Sequence, residues 1–352
     1  MTTLTSGPSP AIDSTPALTC TPTGRWQRRR RDLCHLILRR IAISIPLLLA
    51  VSAGVFFLAN RSPFNPLTAY LGDRYQATST ADRASISAAL NLDAPWWNLW
   101  WQWLTAGARG DLGQSRIYTQ PVTSVFAERL PWTLLLSATA LALAALIALL
   151  LGTLAGLRPG SWSDRLCVAV SVVVQAVPPF VLALASVLVF AVLMRWAPVS
   201  GATDPGAAYS VGQVGRHLVL PAVTLAVMQV PWLLLAVRSA VAETVGSAAV
   251  RGARTRGLTR STVISKHVLP MSLTPLVTLI GARLPELIVG AVLIEEVFAW
   301  PGLAAAVVDS AKAMDFPLLA ALTVATTAVV LAGSLLADVL YLLIDPRITA
   351  DV

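Results

Sequence analysis

The chain has 352 residues, of which 56% are apolar and only 12% are charged, with a formal net charge of +8. Soluble domains carry about a quarter charged residues, so this composition excludes an ordinary soluble enzyme or binding module and points to the membrane. The basic charge is spread over separated segments with no soluble reading domain, which excludes nucleic acid as a partner.

Residues 1–24 are rich in Thr, Ser and Pro, contain almost no charge, and read as a disordered extension. A basic segment follows at 25–40, with Arg25, Arg28, Arg29, Arg30, Arg31, Arg39 and Arg40. The first apolar run, 41–59, is longer than a signal-peptide core and reads as an uncleaved transmembrane anchor. Further runs of membrane length lie at 132–157, 166–194, 218–237, 276–298 and 316–344. They are continuously apolar where a barrel strand would alternate, so the expected fold is an all-α integral membrane protein with six transmembrane helices. Six spans leave both termini on one side. Sixteen basic residues face six acidic ones there, against a near-neutral balance on the other side, so both termini are expected to be cytoplasmic.

Between the first and second spans, 60–131 is the largest extracytoplasmic region, too long for a bare connection without short helices of its own. It holds Trp96, Trp97, Trp100, Trp101 and Trp103 at helical spacing. Such a cluster reads as an interfacial anchor, or as a platform for a partner or substrate. In the third span Gln175 and Pro178-Pro179 put an amide and a double proline in mid-membrane; the fourth holds Pro221, Gln229 and Pro231. Each set fits a pathway-lining helix or a packing kink. Arg283 and Glu286, three apart in the fifth span, share a face and can pair. They line the translocation path or form an internal or inter-subunit ion pair. Trp300-Pro301-Gly302 forms a turn at the outer interface, structural or acting as an outer gate.

Residues 243–270 lie in the only long polar and basic segment between two membrane-grade apolar runs, 238–278, with Arg251, Arg254, Arg256, Arg260 and Lys266 and no acid between Arg251 and Lys266. Ala-rich residues up to Arg256 predict a short helix, Gly257 a left-handed stop, and Pro270 a reset before the next span. On charge alone this is a loop that fixes topology. The spacing Arg251-Gly252-Ala253, three residues, Gly257, nine residues, His267-Val268-Leu269-Pro270 resembles the cytoplasmic signature loop of ABC-importer permeases. The Ala253-Arg254 start followed by Arg256-Gly257-Leu258 resembles the dipeptide/oligopeptide branch, which also looks like nickel permeases. Tyr70-Leu71-Gly72-Asp73, Leu90-Asn91-Leu92-Asp93, Gly110-Asp111-Leu112-Gly113 and Glu295-Glu296-Val297-Phe298-Ala299-Trp300-Pro301-Gly302-Leu303 match that branch in order and spacing.

The resemblance covers about 38–347. It implies the type I ABC-importer permease fold in a bacterial inner membrane, with a five-helix permease core over 132–345 and a cytoplasmic tail at 346–352. It implies an importer of di- or oligopeptides, with nickel or another small solute as the alternative. The implied partners are a second homologous permease subunit, two ABC ATPase subunits, an extracytoplasmic solute-binding protein, a peptide substrate and the lipid bilayer. The ATPase-coupling residues it implies are Glu243, Arg251, Ala253, Arg254, Arg256, Gly257, Leu258, Leu269 and Pro270.

No phosphate-binding loop occurs, and His35, His217 and His267 offer no ligand spacing, so no cofactor, metal or catalytic set is expected. An ion-coupled secondary transporter is the rival of another class; it would show internal repeats and coupling carboxylates.

Overall fold

The computed structural model describes residues 22–61, 67, 71, 74–89, 94–115 and 117–344. The extension up to residue 21, the Tyr70 and Gly72-Asp73 positions, Leu90 to Asp93 and the tail from Asp345 through Arg347 lie outside them.

Helix α1 (Pro22–Arg61) carries the basic segment and the first span as one element. The sequence reading separates them at Arg40, yet arginine is a good helix former and a charge ends only the apolar face. At about 1.5 Å per residue the helix is about 60 Å long, so its basic end projects beyond a bilayer core. Arg40 pairs with Asp338 of α13 (Phe316–Ile344), the in-span acid near the end of the sixth apolar run. Short helices α2 (Arg74–Ala77) and α3 (Thr80–Ala89) follow, then α4 (Trp96–Gly107). α4 packs on α1. Trp100 Nε1 donates to Ser52 Oγ at 3.0 Å, Trp96 meets Phe57 edge-on, and Trp103 lies against Phe56. Trp97 and Trp101, one turn apart, are left exposed. The tryptophan cluster therefore props α1 on one face and offers an amphipathic face on the other, as an interfacial anchor does.

Helices α5 (Val122–Gly156) and α8 (Val211–Val245) form the centre of the bundle. On α5, Ala140, Ala144, Ala148, Gly152 and Gly156 recur every fourth residue and are buried, a ridge of small side chains that lets backbones approach. A Cβ on Gly152 would lie 2.9 Å from the Leu234 carbonyl oxygen, and one on Gly156 2.6 Å from that of Arg238. Both helices start before the expected spans and contain prolines, Pro131 in α5 and Pro221 and Pro231 in α8, without ending there.

The third apolar run is broken. Ser161 caps α6 (Trp162–Ala176), accepting from the Asp164 amide at 3.3 Å, and α7 (Pro179–Ser186) runs on as a π-helical stretch, Val187–Leu193. The two parts meet at 102°. Pro178 forces Val177 into an extended conformation, which ends α6. Asp164 pairs with Arg238 near the C-terminal end of α8, whereas beyond the π stretch the Gly201 amide donates to the Phe298 carbonyl at 2.8 Å. The bent pair thus joins opposite ends of the bundle and, counted as one span, is the sixth beside five unbroken apolar helices.

Helix α9 (Ala248–Thr255), α10 (Arg260–Val263) and a π-helical turn (Ile264–Val268) lead into α11 (Leu269–Val297). Pro270 has no amide for the Lys266 carbonyl, a reason for the turn there to widen. α11 packs on α13 where Gly281 faces Ala337, and α12 (Leu303–Lys312) closes the opposite end. Large apolar residues such as Leu58, Leu154, Val173, Leu193 and Val289 cover the exterior, as lipid or another apolar subunit requires.

Candidate functional site

Three places carry the polar chemistry. At the basic end, Ser247 accepts from the Val250 amide and starts α9. Val250 and Ala253 are buried against the bundle, while Arg251, Arg254 and Arg256 are exposed. The stop is a Schellman motif: Gly257, at φ +77°, donates to the Arg254 carbonyl at 3.0 Å, and the Leu258 amide donates to the Ala253 carbonyl at 3.3 Å. Arg251 and Arg256 turn back to the carbonyls of Gly246 and Gly252. Arg254 and Leu258 instead edge a cavity of about 320 Å³ floored by Leu157, Val245, Val263 and Val268. Of the residues expected here, Glu243 stands apart, exposed on the last turn of α8, and Leu269 and Pro270 open α11.

At mid-depth, Arg283 sits at the centre of α11, pairs with Glu286, and lays its guanidinium carbon 4.0 Å from the centroid of Trp232 on α8. Gln229, read as lining the pathway or marking a packing kink, is buried between α8 and α11, its amide 3.9 Å from where a Gly290 Cβ would stand. Gln229 and Trp232, three residues apart, both face α11, the amide buried and the ring half-exposed, which residue type alone does not reveal. Gln175 and Pro178 are exposed at the break of the third span.

At the far end, the Trp300-Pro301-Gly302 turn is a lock. Trp300 is fully buried, donates from Nε1 to the Trp132 carbonyl at 3.1 Å and stands edge-on to that ring. Below it the buried Glu295 carboxylate accepts from the Thr133 hydroxyl at 2.6 Å and from the Ala304 amide at 2.8 Å. Thr133 Oγ1 also accepts from the Leu303 amide at 2.9 Å. Gly302 starts α12 with no side chain, and a Cβ there would fall inside the Glu295 carboxylate. An acid from α11 therefore caps α12 across the turn. Nearby, buried Asp315 accepts from Ser115 Oγ at 3.0 Å and Tyr118 donates to Asp309 at 3.2 Å. Burial pushes the Tyr118 phenol up, with Arg129 opposing the shift.

The protein-family model described as "Binding-protein-dependent transport system inner membrane component" matches residues 148–350. The chain belongs to that family. Among its relatives, the oligopeptide transport system permease protein AppB of Bacillus subtilis is 33% identical over 313 residues, covering 89% of this chain and 98% of that one. The dipeptide transport system permease protein DppB of Escherichia coli is 28% identical over 337 residues, covering 90% and 99%. As an inner membrane component the chain is a multi-pass permease, and the matched region holds the α9 segment, the Arg283 group and, of the lock, Glu295 and Trp300 but not Trp132 or Thr133.

Sequence reasoning did not find Trp132, Thr133, Ser115 or Trp232. A carboxylate in an apolar run demands a partner, but Thr133 is 162 residues from Glu295 and Ser115 is 200 from Asp315, beyond the reach of any local spacing.

Proposed function

We propose that this inner membrane component is one of two permease subunits of an ATP-driven importer of di- and oligopeptides. It forms half of the translocation path with a homologous sibling, takes peptide from an extracytoplasmic solute-binding protein, and is driven by two cytoplasmic ATPases. The observation that carries the reading is α9: a helix capped at both ends, buried on one face by Val250 and Ala253, presenting Arg254 and Leu258 beside an apolar cavity. A rigid basic knob of this kind suits a cleft on a motor subunit. Residues Arg251, Ala253, Arg254, Arg256, Gly257 and Leu258 make up the coupling element, and Gln175, Pro178, Arg283 and Glu286 border the path. The charge asymmetry supports a cytoplasmic position for α9 and both termini.

Transport follows from alternating closure of the ATPases, which moves α9 and rocks the spans. Each state must be favoured by a different ligand, nucleotide on one side and loaded binding protein on the other. The test is uptake of labelled di- to octapeptides and of nickel into proteoliposomes that hold the whole complex. ATP-dependent peptide uptake supports the reading. Nickel uptake without peptide uptake moves it to another solute class, and uptake that persists with dead ATPases under a proton gradient overturns it.

A further inference from the structure

Arg283 stands fourteen residues from each end of α11, so its group lies near the bilayer midplane. A charge there is costly against lipid and faces a watery path or another protein. The two members of the pair are not equivalent. Arg283 has its side chain only 19% exposed, held between Glu286 and the ring of Trp232, while the Glu286 side chain is 60% exposed. Only Glu286 Oε2 meets Arg283, and among the described residues Oε1 accepts no hydrogen bond. Trp232 itself is 43% exposed beside it. The cation is thus already clamped, and the reachable charge is the carboxylate.

We propose that Glu286, braced by Arg283, is a mid-membrane subsite for the N-terminal ammonium of the passing peptide. The proposal rests on the peptide-importer reading and adds the polarity of the ligand. A carboxylate with one oxygen open takes an ammonium by charge-assisted hydrogen bonds. Among the described residues the cation at this place, Arg283, is already paired, so the peptide C-terminal carboxylate is not the favoured end. A sibling subunit's cation is not required to neutralise Glu286, since Arg283 does so.

The test uses the complete transporter in nanodiscs without its binding protein, and two neutral-backbone probes that differ only in the ammonium: trialanine amide and N-acetyl-trialanine amide. The wild type is expected to bind the first about tenfold or more tightly than the second, a ratio of the size one charged hydrogen bond gives. E286Q brings the ratio to about one, E286D retains most of it, and R283Q, which frees the carboxylate, raises it. A ratio unaltered by E286Q overturns the proposal, as does a wild type that binds neither probe. Should E286Q fail to assemble, a ratio unchanged or lowered in R283Q overturns it instead. If E286Q lowers the melting temperature and sibling retention while the ratio stands, Glu286 is an inter-subunit ion-pair partner and the proposal fails. The importer reading fails separately, when the wild-type complex with its binding protein takes up no peptide at all.

Discussion

Glu295 and Thr133, 162 residues apart in sequence, share a 2.6 Å hydrogen bond inside the membrane bundle, both side chains buried. Through Thr133 the same bond reaches the Leu303 amide, and through Glu295 the Ala304 amide. One hydroxyl therefore fastens α5 to the junction of α11 and α12.

Replacing Thr133 by Val keeps the volume and removes both roles of the hydroxyl. A buried carboxylate and a buried amide each lose a partner, at about 1–3 kcal/mol per group. The purified complex bearing T133V should melt several degrees below the wild type, and T133S should recover most of the difference. Equal melting of T133V and wild type would mean that the lock holds nothing together.

The α5 ridge makes a contrast between two glycines. Gly156→Ala puts a Cβ 2.6 Å from the Arg238 carbonyl, so the α5 and α8 backbones must separate and the contact between Gly152 and Leu234 opens with them. Gly212→Ala, in the first turn of α8 with nothing within 4 Å of the new carbon, gains helix propensity instead. Overpacking of this kind costs about 1–3 kcal/mol, whereas the second change is neutral or stabilising by up to about 1 kcal/mol. Thermal unfolding of the two variants, side by side, should separate them in opposite directions.

Much of this architecture is legible in the chain itself, for physical reasons. Apolar length marks the spans and the charge of residues 251–266 marks the polar segment that holds α9, because both are local properties; the Gly257 stop is equally local, one residue at positive φ. Span ends are read less well. Arg40 and Pro131 interrupt hydropathy without interrupting a helix, so α1 and α5 outrun the expected limits of 41 and 132. The double proline at Pro178 promises a bend but not one of 102°, because the angle depends on what the second half packs against. Gln229 and Trp232 lie three apart on one helix, and only the packing of α11 decides that the amide is buried and the ring reaches the charge.

Gly257 tests the coupling helix locally. At φ +77° a β-branched residue is strained by about 1–2 kcal/mol. Gly257→Val should fray the last turn of α9 while leaving the bundle's melting temperature nearly unchanged, because nothing in the bundle touches that position. Gly257→Asn, which tolerates the left-handed region, should behave like the wild type. Hydrogen exchange of the 250–258 amides reads the effect; equal protection in G257V and wild type would contradict the Schellman stop.

Arg254 and Leu258 flank the cavity at the basic end, and the account stands or falls on a motor subunit gripping them. The direct measurement is ATP-driven uptake of a labelled peptide by proteoliposomes carrying the complex with Arg254→Glu and Leu258→Asp together. Uptake should fall at least about tenfold, and the ATPases should co-purify poorly, while the permease itself melts at the wild-type temperature. Undiminished uptake with the ATPases still attached would show that α9 transmits nothing.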